Sequence, residues 1–189
     1  MSSKVITQPS VEIVTLEEAK IHLRIDYSEE DSLVSSLIVA ARKQAEHMTG
    51  RAFGVQTREL IIDAFPDDEI RLPGTPVTSI VSVTYADSSG NTVVMPEDGY
   101  ALDSDYIPSS LFPSSEDPWP DTYDTANAVR IRYICGHEAG TAESVRVWIL
   151  MTVGTMYRHR ENIANAQSYA LPRSAYDVLL DPFDIRRAT

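Results

Sequence analysis

With 189 residues and a formal net charge of −12, the chain has the size of one ordinary domain, enough to bury roughly two-thirds of the surface exposed when unfolded. Its acids are unevenly placed: residues 1–71 hold 13 Asp/Glu against 8 Lys/Arg, residues 72–129 hold 9 against none, and residues 130–189 hold 6 against 8. Gripping phosphate takes clustered cations, so tight binding of DNA or RNA by the chain as a whole is disfavoured, and an acidic surface would repel it.

The opening residues Met1 to Val14 contain one lysine but neither a continuous apolar run nor a small-residue cleavage pattern, so nothing there marks export. Thr15-Leu16-Glu17-Glu18 reads as a capping box, with Leu16, Ala19 and Leu23 behind it, and predicts a short helix over about 16–24. Ser28-Glu29-Glu30-Asp31 sets carboxylates at a second helix start. Leu33, Leu37, Ala41, Ala45 and Met48 then recur at helical spacing until Gly50, predicting a helix over about 29–49.

From Val55 the pattern becomes strand-like. Leu60 to Ile62, the β-branched run Val77 to Tyr85, the turn Asp87 to Asn91 with Thr92 to Met95, and finally Val129 to Cys135 predict a meander of four to six strands. Cys135 lies in an apolar run and reads as a packed thiol in a reducing compartment. Residues 103–126 carry four prolines, several serines and many acids without a period, and read as a long loop. Its aromatics, Tyr106, Phe112, Trp119 and Tyr123, leave three readings open: folding back on its own domain, contact with a neighbouring subunit, or disorder.

A third helix is predicted over about 142–160, with an apolar face from Val145 to Tyr157 too wide for a surface helix, so it is central to the core or buried between subunits. The longest apolar block, Val147 to Met151, is too short to span a bilayer. From Leu171 a short apolar cluster, a break at Pro182 and the basic Arg186-Arg187 suggest a docking tail. The fold class is α+β: a helical part over 1–54, a β-rich insertion over 55–136, a helix over 137–165 completing the helical part, and a tail over 166–189.

The pattern offers no catalytic constellation. His137-Glu138 lacks the second histidine of a zinc-protease helix. His22, His47 and His159 stand alone on predicted helices, and no Cys/His metal set occurs. The acids at Asp26 to Asp31 lack the glycine and twelfth-position glutamate of a calcium loop. Glu97/Asp98 and Asp103/Asp105 could in principle serve a glycosidase, but such pairs arise by chance among 28 acids.

Three stretches carry a family resemblance. Val14-Thr-Leu-Glu-Glu-Ala-Lys-Ile-His-Leu-Arg-Ile-Asp26, the helix start at Glu29-Glu30-Asp31, and Ser36-Leu-Ile-Val-Ala-Ala-Arg-Lys-Gln-Ala-Glu-His-Met-Thr-Gly-Arg51 resemble the head–tail connector (adaptor) proteins of long-tailed bacteriophages and prophages. The longer members, with a β-rich insertion, are the nearest in pattern. Gln56-Thr57, Gly74-Thr-Pro-Val77, Tyr157-Arg-His-Arg-Glu161, Leu171-Pro, Leu179-Leu180 and Arg186-Arg187 continue the similarity. One departure is Gly140-Thr141-Ala142, where members often enter the last helix through a proline.

The resemblance implies a non-enzymatic virion subunit with no cofactor and no metal. It implies a homo-oligomeric, dodecameric ring that docks under the portal protein and forms part of the DNA channel without binding DNA specifically. Such a ring is assembled in the host cytoplasm, sits at the head–tail junction and supports the next head-completion, stopper or tail protein, with no membrane involved. On this reading Leu179, Leu180, Phe183, Arg186 and Arg187 are candidates for portal docking, the alternative being that the tail packs on its own subunit. Trp148, Met151, Tyr157 and Trp119 are candidates for the subunit interface. The rival functions are a monomeric phage binding or regulatory module and, behind it, a carboxylate-based hydrolase.

Overall fold

A computed structural model of the chain describes residues 2–114, 118–138, 140, 142–159 and 176–185. The fold is α+β, and the chain divides into two compact units, each built from two separate stretches. A β unit comprises residues 1–10 and 55–137, and a helical unit comprises residues 11–54 and 138–189. The opening residues therefore join the β unit instead of the helical part expected for 1–54.

In the helical unit, α1 (Leu16–Leu23) starts at the expected capping box: the Glu18 amide donates to Thr15 Oγ1 while Glu18 Oε2 accepts from the Thr15 amide at 2.8 Å. The hydrogen bond from the Thr15 amide, then that from Arg146, and also that from the Thr15 hydroxyl at 2.9 Å, hold the Glu18 carboxyl below its usual range. A depressed folded-state pKa gives stability that is present above the unfolded value and lost as pH falls through the folded one. Thr15→Ala removes the hydroxyl that accepts the Glu18 amide and donates to Glu18 Oε2; it should cost about 1 kcal/mol at neutral pH, and less below pH 4.5, the unperturbed value for Glu18. Thermal unfolding of both forms at several pH values checks this; a cost that grows on acidification would contradict it.

α2 (Asp31–Thr49) begins two residues later than expected. Glu30, at the N-cap position, makes no capping bond. Its carboxylate is engaged instead by the hydroxyls of Tyr27, at 3.0 Å, and Tyr157. The buried stripe of α2 is also turned from the expected one: Val34, Ile38, Ala41, Arg42, Ala45, Glu46 and Thr49 are buried, while Leu33 is exposed. α3 (Glu143–Arg158) buries Val145, Trp148, Ile149, Thr152 and Val153. Residues Asp177–Phe183 form a 3-10 turn whose Leu180 enters the same core, with Leu179 and Phe183 packed against it.

The β unit contains two antiparallel sheets in place of a simple meander. Its strands are β1 (Ser2–Thr7), β2 (Gln56–Ile62), β3 (Ile70–Arg71), β4 (Val77–Ala86), β5 (Thr92–Val94), β6 (Tyr100–Asp103), β7 (Ser110–Pro113) and β8 (Val129–Cys135). The larger sheet has the order β1-β2-β8-β4-β5 and the smaller one β3-β7-β6. Strand β8, the last in sequence, is central and pairs with both β2 and β4. Its alternation turns Val129, Ile131, Tyr133 and Cys135 inward and Arg130 and Arg132 outward, as a strand with one buried face requires.

The 103–126 region is only in part a loop. β7 lies within it and pairs with β6 and β3. Trp119 stacks on Phe65 with ring centroids 4.8 Å apart and donates to the Asp68 carbonyl at 2.8 Å. Its described residues thus fold back on the β unit. Sequence reading missed β7 because a strand of four residues ending in Pro113 leaves no alternation long enough to register.

Candidate functional site

Two of the candidate carboxylate groups have structural partners. Asp103 Oδ1 accepts the amides of Asp105 and Tyr106, each at 3.0 Å, so this acid pair builds a turn. Asp31 pairs with Lys20 at 2.6 Å across the would-be calcium segment. Among the described residues no cluster of His, Cys, Asp and Glu is arranged to hold a metal ion, and no helix is long and apolar enough to cross a membrane.

His22 and His159, isolated in sequence, line one concavity of about 620 Å³ with Arg24, Met151, Tyr157 and Arg158. Four of these residues carry basic side chains at the C-terminal ends of α1 and α3, where cations offset the partial negative charge of the last carbonyls. That role accounts for the basic lining without a ligand. Beside it Tyr27, whose hydroxyl lies 3.2 Å from that of Tyr157, is held well above the usual tyrosine range by its hydrogen bonds to Tyr157 and Glu30.

The candidate assembly residues separate sharply. Trp148 is 1% exposed and donates its indole N–H to Asp177 Oδ1 at 2.9 Å. Buried in its own subunit, it has no surface to offer a neighbour, and the interface role expected for it is withdrawn. Trp119 likewise spends its ring on Phe65. Tyr157 is half-buried against Glu30. Met151 is exposed, as is Val147 one turn before it, giving α3 an uncovered apolar pair opposite its core stripe.

Of the portal-docking candidates, Leu179, Leu180 and Phe183 pack on their own helical unit. The Phe183 ring meets Phe53 edge-on at 5.8 Å, and its carbonyl accepts from Arg51 Nε at 2.7 Å. These three residues anchor the segment rather than present it, which is the alternative left open for the tail. Arg186 and Arg187 lie outside the described residues, as does most of 166–189.

A feature that sequence reading missed lies on the open face of the larger sheet. Glu59, on β2, is almost fully buried yet sits among Lys4 Nζ at 2.9 Å, Arg132 at 2.9 Å and Arg130 at 3.5 Å. Burial alone would raise its carboxyl, but the bonds from Lys4 and Arg132 outweigh that and hold it low. The signal available in sequence was the Arg-x-Arg alternation at Arg130 and Arg132, which marks the outward face of β8.

Residues 13–91, which span α1, α2 and the first strands, match the family described as Phage gp6-like head-tail connector protein. The likeness to that family is confined to this stretch, under half of the chain. No curated protein matches the chain. Three solved chains share this chain's fold. One, in the neck of an empty GTA particle computed with C6 symmetry, gives a TM-score of 0.79 at 19% identity, over 97% of this chain and 95% of that one. A chain of the native gene transfer agent (GTA) virion gives 0.77 at 19% identity over 97% and 95%. A third, in the neck of the native GTA particle computed with C12 symmetry, gives 0.73 at 19% identity over 97% and 94%. At that identity the likeness speaks for the fold, and it extends over both units of this chain.

Proposed function

We propose that the protein is a structural subunit of the neck of a phage-like particle, one copy of a head–tail connector ring. The observation that carries the reading is the coincidence of the family match over 13–91 with a fold likeness that covers 97% of the chain. Necks computed with C6 and C12 symmetry support a closed ring, and twelve copies is the number proposed. The ring docks under the portal protein, lines part of the channel through which DNA passes without specific binding, and offers its far side to a stopper or tail protein. Assembly takes place in the host cytoplasm, and the work is done by binding alone, without a cofactor.

Within this reading the 176–185 segment is a fixed base from which the following residues, Arg186 and Arg187 among them, reach the portal. Val147 and Met151 contribute apolar area to a subunit contact. Electron microscopy of the purified protein mixed with the portal of the same particle tests the proposal. The expected product is a ring stacked on the portal for the full chain, and its loss for a chain ended after Ile185, which keeps the Leu180 anchor. Absence of any ring from the full chain, whatever the salt concentration, would overturn the connector reading in favour of a monomeric module.

A further inference from the structure

The open face of the larger sheet carries charge of the opposite sign to the chain around it. Strand register sets two rows across this face: Lys4, Glu59, Arg132 and Ser82 in one, and Ser2, Ile61, Arg130, Thr84 and Val94 in the next. Three cations thus share one carboxylate and leave an excess of two positive charges. Lys4, Arg130 and Arg132 keep 52%, 48% and 45% of their side chains exposed, so the excess faces outward. Hydroxyls and the exposed Val94 surround it.

The same β unit is acidic elsewhere, with nine acids and no Lys or Arg over residues 72–129. Some of those acids are committed: Asp87 and Asp103 cap the amides of their own turns. Glu97 and Asp98 are adjacent, exposed on a 3-10 turn, and form no ion pair with any described residue. Identical copies that each carry −12 repel when set side by side. A head-to-tail contact joins two different patches of the same chain, and so can oppose unlike charges at every repeat.

Resting on the connector reading, we propose that the Lys4–Arg130–Arg132 face of one copy receives the Glu97–Asp98 turn of the next copy in the ring. The buried Glu59 draws both arginines to one place on the face, and the neighbour's carboxylates complete their pairing. Being exposed until assembly, the contact is screened by salt.

Ring formation on the portal, counted by electron microscopy for the wild type, R130E/R132E, E97K/D98K and the four-site combination, tests this. The first two variants should lose at least ten-fold in ring yield, and the combination should regain it, because each contact again joins unlike charges. E97K/D98K alters an exposed turn that forms no ion pair with any described residue, and circular dichroism checks the folding of all three variants. Wild-type yield from E97K/D98K, or no recovery in a combination whose circular dichroism matches the wild type, overturns the pairing while leaving the connector reading intact. Rings of R130E/R132E that form normally but no longer retain DNA assign the face to the DNA backbone, which also overturns it. A wild type that forms no ring overturns the connector reading and this pairing together.

Discussion

Arg42→Met should destabilise the helical unit by about 3–5 kcal/mol, because it strands a buried carboxylate. Arg42 is 1% exposed and reaches Glu12 Oε2 with its Nε at 2.7 Å and Glu46 Oε1 with a terminal nitrogen at 3.1 Å. Glu46, itself buried, also accepts the Phe53 amide at 2.9 Å. Removing the cation leaves Glu46 charged in a poorly solvated place, whereas removing both charges does not. R42M/E46Q should therefore recover most of the loss, since glutamine keeps an oxygen for the Phe53 amide. Urea dependence of amide exchange in α2 measures both; an R42M cost below about 1 kcal/mol would mean that Glu46 is reached by water after all.

Trp148→Ala should cost a similar amount, about 3–5 kcal/mol, from lost burial plus the cavity left behind. The effect has a location. Trp148 supports the 177–183 turn by its bond to Asp177 and by an edge-on contact with Tyr176 at 6.3 Å. Its removal should expose that turn to protease before the rest of the helical unit opens. Trp148→Phe keeps most of the volume and should lose only about 1 kcal/mol with the indole hydrogen bond. Limited proteolysis read by mass spectrometry distinguishes the cases: equal cleavage near Val178 in wild type and W148A would show that the turn is held by other contacts.

The three helices were legible in sequence to within two residues at their described ends because each is announced by local chemistry. A capping box opens α1, and Gly50 in the left-handed conformation closes α2. The stripe that α2 buries was misread for a physical reason. Arg42 and Glu46 lie on the buried side, and their mutual charge neutralisation cannot be seen in a pattern that assigns every ion to solvent. β1 was missed because its residues stay mostly exposed on an edge strand, without the alternation that burial of one face imposes. Among the assembly candidates, width of apolar pattern placed Trp148 and Met151 together. The fold separates them, the first inside and the second out.

The threading of the chain bears on how the protein is made. β1 leads the sequence, yet the strand that binds the middle of its sheet, β8, ends at Cys135. α1 and α2 are complete by Thr49, yet their core waits for Trp148 and Leu180. During synthesis from the N-terminus neither unit can close until most of the chain has left the ribosome. The early helices then wait with apolar faces uncovered. A translational stop anywhere before the 177–183 turn yields a chain with at least one unit unfinished, whose uncovered apolar surface is the kind that chaperones and proteases recognise.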